Sequence, residues 1–298
     1  MPDNLRQRLR RFWLGLLTLT GWKQAGFFIP YRYAAGVEAL DYPALEPVFA
    51  AAAGRMGGVL DAIDSHAGAF AAMQGGGAAP RFQQQWYPRL DACAAYALVR
   101  RESPAQIVEI GSGHSTRFLA RAVADAGLAT RITCMDPAPR ATIAQLKVKH
   151  LACVLAQADP SLFEGLQAGD FVFVDSSHIA MPGTDVDRVV LDILPRLKPG
   201  VLVHFHDIFL PDAYPPELAQ WAYNEQALVG ALLQGGAWEL VFSSHYVQSR
   251  MATRVATSVV ASLPLPGGAI EGSVWLRKRR DVECPGPRTN RALLRGGE

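Results

Sequence analysis

The 298-residue sequence has few cysteines and little net charge. Its four cysteines form no Cys-x-x-Cys pair and no cluster with histidine at zinc spacing. This excludes a disulfide-rich secreted scaffold, and we expect a reducing compartment, the cytoplasm. With 29 basic and 27 acidic residues the net charge is +2, which gives no electrostatic signature of nucleic-acid binding.

The sequence also lacks an apolar run long enough to cross a bilayer. The longest candidate, residues 12–22, is shorter than the roughly 20 residues that a membrane span requires. It follows a basic start, and we interpret it as a packed or amphipathic helix rather than a signal peptide or membrane anchor. An interfacial helix, with Arg8, Arg10 and Arg11 beside Trp13, is the alternative, so membrane contact through this helix stays open.

Three regions follow from the patterning of the chain. Residues 1–82 show helical spacing without strands and end in the Gly-rich break 74–80, which predicts a helical extension and a linker. Residues 83–280 form the predicted main domain. Residues 281–298 form a basic C-terminal tail, interpreted as solvated charge.

Strand-like and helical segments alternate about every 25 residues in the main domain. The strand-like runs are apolar on both faces, which is typical of parallel strands covered by helices. This predicts a doubly wound α/β sheet. Five runs are predicted as parallel strands, at 106–110, 131–136, 151–157, 171–175 and 200–207. Two later runs, at 238–247 and 272–278, have no convincing helix between them and are predicted to pair as an antiparallel edge.

A GSGHST turn follows the first predicted strand, where a doubly wound sheet binds its ligand. Gly111 and Gly113 allow close approach of the backbone to a ligand. The dinucleotide fingerprint has a third glycine where this chain has Thr116, which counts against a nicotinamide dinucleotide.

Acidic residues follow or end three of the predicted strands. Asp136 ends the second, where a carboxylate accepts hydrogen bonds from ribose hydroxyls, and Glu109 lies just before the glycines. Asp159 follows the third strand, near the expected adenine edge. Helix capping is the open alternative for Asp136 and Asp159, and a buried structural hydrogen bond is the alternative for Glu109.

The stretches VEIGSG, CMDP, FVFVDSSH and LKPGVLVHFHD resemble the class I S-adenosylmethionine-dependent methyltransferases. Within that superfamily, GSGHSTRF and LPRLKPGVLVHFHDIFLP resemble the small-molecule enzymes of methyltransferase family 24. The resemblance implies a seven-stranded, mostly parallel Rossmann-like sheet whose last strand is antiparallel. It also implies S-adenosylmethionine as cofactor. The predicted cofactor residues are Glu109, Gly111, Ser112, Gly113, His114, Ser115, Asp136 and Asp159, with helix capping as the alternative for His114 and Ser115.

Methyl transfer to an O–H or N–H nucleophile requires an aligned acceptor and removal of its proton. Two acid–histidine pairs follow or end the fourth and fifth strands: Asp175 with His178, and Asp207 with His206. We predict these four residues to be catalytic, with His178 as base or acceptor-positioning group. A structural hydrogen-bond network is the alternative for His178. His204 shares a strand face with His206.

Some related O-methyltransferases hold a divalent metal at corresponding positions. Asp175 and Asp207, joined by His206, are the predicted ligands, a set that suits manganese, iron or zinc. The metal would lower the pKa of an acceptor oxygen.

The sequence therefore predicts a cytoplasmic S-adenosylmethionine-dependent methyltransferase that acts on an oxygen of a small molecule. A nicotinamide-dependent oxidoreductase and a non-catalytic cofactor-binding relative are the rival interpretations. The acceptor and the oligomeric state stay open.

Overall fold

Seven strands form one sheet in the computed structural model, which describes residues 5–73 and 75–280. They are β1 (Gln106–Ile110), β2 (Arg131–Met135), β3 (Lys149–Leu151), β4 (Phe171–Val174), β5 (Leu202–His206), β6 (Trp238–Ser243) and β7 (Ser273–Lys278). Their order in the sheet is β3-β2-β1-β4-β5-β7-β6. The first five strands are parallel and β7 is antiparallel to both neighbours. This confirms the predicted seven-stranded doubly wound α/β sheet.

Helices cover the sheet and form most of the N-terminal region. The α-helices are α1 (Leu5–Leu19), α2 (Glu46–Ala50), α3 (Ala53–Asp64), α4 (Ala67–Ala71), α5 (Arg89–Glu102), α6 (His114–Asp125), α7 (Ser161–Glu164), α8 (Asp185–Arg188), α9 (Leu194–Arg196), α10 (Glu225–Gln234), α11 (Ser244–Arg250) and α12 (Ala252–Ala256). A π-helical turn, Val189–Ile193, joins α8 to α9. Short 3₁₀ turns occur at Ala34–Gly36, Pro43–Leu45, Leu155–Gln157, Pro216–Trp221 and Val259–Ser262.

The central strands are buried on both faces, as their apolar sequences predict. Every residue of β4 and β5 is buried, and Phe171, Phe173 and Trp275 pack edge to face across the sheet. Such aromatic pairs add to the free energy of burying apolar surface. His206 stands at the carboxyl end of β5, and Asp175 directly follows β4, where the loops begin.

Part of the predicted N-terminal extension packs against the sheet domain. Phe49, Met56, Leu60 and Ile63 are fully buried in the same hydrophobic cluster as the central strands. The predicted boundary at residue 82 stays a prediction, and the predicted tail, 281–298, lies outside the described residues.

The third strand differs from its predicted position. We expected it over 151–157, but β3 is Lys149–Leu151 and the later residues form a 3₁₀ turn. The first two residues of β3 are exposed at the sheet edge, so the apolar run that follows was a misleading signal.

Two findings bear on compartment and membrane. No helix within the described ranges is long and apolar enough to cross a bilayer. Cys93, Cys134 and Cys153 are unpaired thiols, and Cys284 lies outside the described residues.

Candidate active site

A cavity of about 560 Å³ opens at the carboxyl ends of β1, β2 and β4. Its wall includes Gly111, Ser112, Asp136 and Asp175, with Phe27 contributed by the N-terminal segment. This is the crevice in which a doubly wound sheet binds its ligands. A larger groove of about 1020 Å³ lies along the outer side of α6 and contains none of the predicted site residues.

The turn after β1 depends on a glycine at position 111. Gly111 has φ +82°, and a Cβ built there would lie 1.8 Å from the carbonyl oxygen of Asp175. Its N–H donates to the carbonyl of Met135 at 2.9 Å. The turn therefore joins the ends of β1, β2 and β4, and a side chain at this position would push them apart.

Asp136 lines the cavity and also fixes the turn. Its Oδ2 accepts the backbone N–H of Ser112 at 2.9 Å, and its Oδ1 accepts that of Ala138 at 2.7 Å. Each carboxylate oxygen retains a further acceptor lone pair. Asp136 can thus hold the turn and accept hydrogen bonds from a ligand at the same time.

Glu109 lies behind the turn rather than in the cavity wall. It is fully buried and bonds to the hydroxyls of Ser115 and Thr116, each at 2.6 Å. Burial raises the pKa of Glu109 to about 8, although the two hydroxyls work against the rise. Thr116, which replaces the third glycine of a dinucleotide turn, is therefore a partner of Glu109. It also accepts the N–H of Gly113 at 3.0 Å.

Two buried polar atoms at the turn lack a protein partner. Nδ1 of His114 and Oγ of Ser112 have no hydrogen bond within the described part of the chain. Burial, aided by Arg117 and Arg81, lowers the pKa of His114 to about 4, so the ring is neutral at physiological pH. Unpartnered buried groups of this kind are costly unless a ligand or water satisfies them.

Asp159 lies outside the cavity wall. Its Oδ1 accepts the N–H of Ser161 at 2.9 Å, next to the start of α7, and its side chain is exposed. Asp159 therefore has the geometry expected of a helix-capping residue, the alternative to a cofactor contact.

The second predicted group comes together as a cluster of two histidines and two carboxylates. Nε2 of His178 lies 3.5 Å from both Asp175 and Asp207, and Nδ1 of His206 lies 3.5 Å from Asp175 and 3.6 Å from Asp207. His178 and Asp207 adopt left-handed backbone conformations, with φ +57° and +54°. This conformation is uncommon for non-glycine residues, although Asp and His adopt it more readily than most. We call Asp175, His178, His206 and Asp207 the acid–histidine cluster.

Two further acids lie behind the histidines. Glu225, at the start of α10, accepts from Nδ1 of His178 at 2.9 Å, and it is fully buried. Asp91, on α5, lies 3.7 Å from Nε2 of His206 and is also fully buried. Both rings therefore have carboxylates on two sides.

The surrounding carboxylates keep both histidines positively charged. Burial alone lowers the pKa of His178, but Asp175, Glu225 and Asp207 outweigh it and raise the value to about 10. Burial opposes the charged form of His206 as well, yet Asp207 and Asp175 raise its pKa well above the ordinary value. Burial likewise works against the Asp175 carboxylate, but the two histidines hold its pKa well below its usual range.

His204 lies on the same face of β5 as His206, as predicted, but in the core. Its ring stacks on Phe173 with centroids 3.7 Å apart, and burial lowers its pKa well below the ordinary value. His204 is a neutral packing residue.

The predicted metal site at Asp175, His206 and Asp207 is not found. No group of three His, Cys, Asp or Glu side chains within the described ranges is arranged to hold a metal ion. Asp175 and Asp207 instead face the two histidines of the cluster, with Nδ1 of His206 3.5 Å from Asp175 and 3.6 Å from Asp207.

Two residues near the cluster, Glu225 and Asp91, were missed as site residues from sequence. Glu225 is predicted as an ordinary helix-packing residue, whereas for Tyr223, whose ring centroid is 4.5 Å from that of His178, the sequence left packing and a role in the acceptor pocket as alternatives. Asp91 stands alone in the apolar segment 90–99, and an acid at such a position was the signal that could have found it.

Comparison with known protein families and structures bears on the domain that carries this site. The family model described as "Methyltransferase domain", methyltransferase family 24, matches residues 108–208. Residues 108–208 of the chain are therefore similar to this methyltransferase family. The match confirms the predicted resemblance and spans the turn, Asp136, and the whole acid–histidine cluster. A search of curated protein sequences finds no match.

Solved structures similar to this chain include two methyltransferases with SAH bound. The Podospora anserina methyltransferase PaMTH1 is 17% identical, with 86% of this chain and 100% of that chain covered and a TM-score of 0.42. The O-methyltransferase from Bacillus cereus is 14% identical, with 74% and 91% covered and a TM-score of 0.40.

Proposed function

We propose that the methyltransferase domain binds S-adenosylmethionine and transfers its methyl group to an oxygen of a small molecule. One observation carries the proposal: Asp175 belongs both to the wall of the cavity and to the acid–histidine cluster. A ligand in the cavity is therefore next to ionised groups that can bind and deprotonate an acceptor.

The nucleoside part of the cofactor is assigned to the side of the cavity formed by β1 and β2. Asp136 has spare lone pairs for the ribose hydroxyls, and Gly111 lets the backbone approach. Ser112 belongs to the cavity wall, and its unpartnered Oγ is assigned to the amino-acid part. His114 also has an unpartnered atom, Nδ1, but it is not part of the wall, so we place it behind Ser112. The start of α6 is held in place by hydrogen bonds of Gly113, Glu109 and Ser115, which do not line the cavity themselves. Asp159 is left out of this assignment because it lies outside the wall.

The bound cofactor supplies an electrophilic methyl group on a positively charged sulfur. We assign removal of the acceptor proton to Asp175, which lines the cavity and is held ionised. His178 has a pKa of about 10, so it is protonated near neutral pH and has no free lone pair to act as a base. Instead His178 and His206 orient the Asp175 carboxylate and place positive charge beside a developing acceptor oxyanion.

The test is calorimetric titration of the full chain with S-adenosylmethionine and with NAD. We expect binding of S-adenosylmethionine alone, weakened about 5- to 150-fold by Asp136→Ala, since about 1–3 kcal/mol is lost with hydrogen bonds to a charged acceptor. Asp159→Ala is the matched control, because it removes an exposed carboxylate outside the cavity and should leave the affinity unchanged.

Binding of NAD alone would overturn the proposal and favour the oxidoreductase interpretation. Equal affinities of the wild type and the Asp136→Ala variant would remove Asp136 from the cofactor site.

A further inference from the structure

The exposed apolar side chains of α1 form one continuous stripe. They belong to Leu5, Leu9, Phe12, Trp13, Leu16 and Leu19, and are between 40% and 71% exposed. At about 100° per helical residue, these positions fall within an arc of about 120°. We call this surface the α1 stripe.

Near its C-terminal end, the other side of α1 contacts the chain that follows it. Leu14 and Leu17 are half-buried there, while Thr18 accepts the N–H of Ala25 and the carbonyl of Leu17 accepts that of Lys23. The helix is thus held by its polar and half-buried side, and the α1 stripe faces solvent. A stripe of this size is unfavourable on a surface that meets only water.

The charges around the α1 stripe have one sign. Arg8, Arg10 and Arg11 are exposed, and the segment 5–37 contains no aspartate or glutamate. Pairing of α1 with α1 of a second copy would supply apolar contacts but no carboxylate from this segment to neutralise the arginines. The partner that complements both features is one with an apolar interior and an anionic surface.

We infer that α1 lies in the interface of an anionic lipid bilayer, with the α1 stripe among the acyl chains and the arginines among the headgroups. The 15 residues of α1 extend about 22 Å, less than the roughly 30 Å of a hydrocarbon core, so the helix lies along the surface. Trp22, 83% exposed in the turn after α1, adds an aromatic anchor at headgroup depth.

The same segment reaches the cavity of the methyltransferase domain. Phe27, which follows α1 after the turn at Gly21, is part of the cavity wall. The surface that contacts the bilayer is thereby connected to the mouth of the site through a short stretch of chain.

The experiment is co-sedimentation of the full chain with phosphatidylcholine vesicles, with and without phosphatidylserine. We expect binding only to the phosphatidylserine vesicles, and weaker binding as the ionic strength rises from about 0.1 to 1 M. Phe12→Glu should lower the partition coefficient at least about tenfold, because a charge replaces an apolar side chain that would lie among the acyl chains. Leu191→Glu is the matched control, since Leu191 and Phe12 are both 71% exposed.

The arginines are tested by the double variant Arg8→Gln/Arg11→Gln. Each arginine removed should weaken binding about fivefold, whereas Arg131→Gln/Arg196→Gln, with the same change of net charge, should leave it unchanged. Circular dichroism and S-adenosylmethionine titration check that the variants are folded. Absence of binding to phosphatidylserine vesicles, or equal binding of Phe12→Glu and wild type, would overturn the inference. Self-association that Phe12→Glu abolishes, without vesicle binding, would assign the α1 stripe to a second copy instead.

Discussion

The two halves of the candidate site differ in the charge of their buried side chains. On its buried side, the turn after β1 is held by a neutral group: Glu109, with a pKa of about 8, is mainly protonated at pH 7. His114 beside it, with a pKa of about 4, is uncharged, and the Asp136 carboxylate holds the cavity side of the turn. The acid–histidine cluster after β4 and β5 is held by charges, with protonated His178 and ionised Asp175 in contact.

The difference shows how burial shifts the pKa of a titratable group with and without a neighbouring opposite charge. Glu109 is desolvated among hydroxyls, so the neutral form is favoured. His178 is equally buried, but three carboxylates surround it and the charged form is favoured. The first half therefore depends on backbone geometry and the second on charge balance, and each can be broken separately.

The largest expected effect is at Gly111. Gly111→Ala places a Cβ 1.8 Å from the Asp175 carbonyl, in addition to the strain of φ +82°. We expect a loss of about 4 kcal/mol or more in the free energy of unfolding, measured by urea denaturation. Gly183→Ala is the matched control, because Gly183 has φ +84° but nothing within 4 Å of its Cβ, and it should cost only about 1 kcal/mol. Equal losses for both variants would show that the contact between strand ends is unimportant.

The variant Glu225→Gln tests whether negative charge around His178 holds the acid–histidine cluster together. The amide oxygen can still accept from Nδ1 of His178, but the negative charge is removed. We expect the pKa of His178 to fall from about 10 toward its ordinary 6.5, and the free energy of unfolding at pH 7 to drop by about 1–3 kcal/mol. Both are measurable, by histidine NMR titration and urea denaturation. Glu239→Gln, at a surface ion pair with Arg55, is the control and should change neither.

A third effect, small per pH unit, concerns how the free energy of unfolding changes with pH at Glu109. Its pKa is about 8 in the folded chain and about 4.5 when unfolded, so unfolding releases a proton between these values and stability falls as pH rises. The slope is at most about 1.4 kcal/mol per pH unit. Glu109→Gln should remove this part of the decline between pH 4.5 and 8, leaving the contribution of His178 between 6.5 and 10. If the free energy of unfolding of Glu109→Gln and of the wild type changed with pH in parallel, Glu109 would not be neutral in the folded chain. The control is Glu164→Gln, which changes an exposed glutamate.

The sequence predicted the central strands well because their signal is local. The apolar runs ending at Ile110, Asp136 and Asp175 mark β1, β2 and β4 to within a residue. The short edge strand β3 was misplaced because its exposed residues carry no apolar pattern, whereas the loop after it does.

The candidate site was predictable where its residues follow strand ends. Gly111, Asp136, Asp175 and His178 each follow or end a predicted strand, and the parallel sheet brings those ends together. The charge states were not predictable from sequence. They depend on Glu225, 47 residues after His178, and on other acids that only the packing brings near.

The buried histidines are expected to be neutral at the turn and charged in the acid–histidine cluster. The most direct test is an NMR titration of the histidine rings in the full chain, assigned by single His→Gln variants. Near pH 7.5 we expect His178 and His206 to be imidazolium cations and His114 and His204 to be neutral. A His178 that titrates near its ordinary pKa of 6.5, or a His114 that does so, would contradict this expectation.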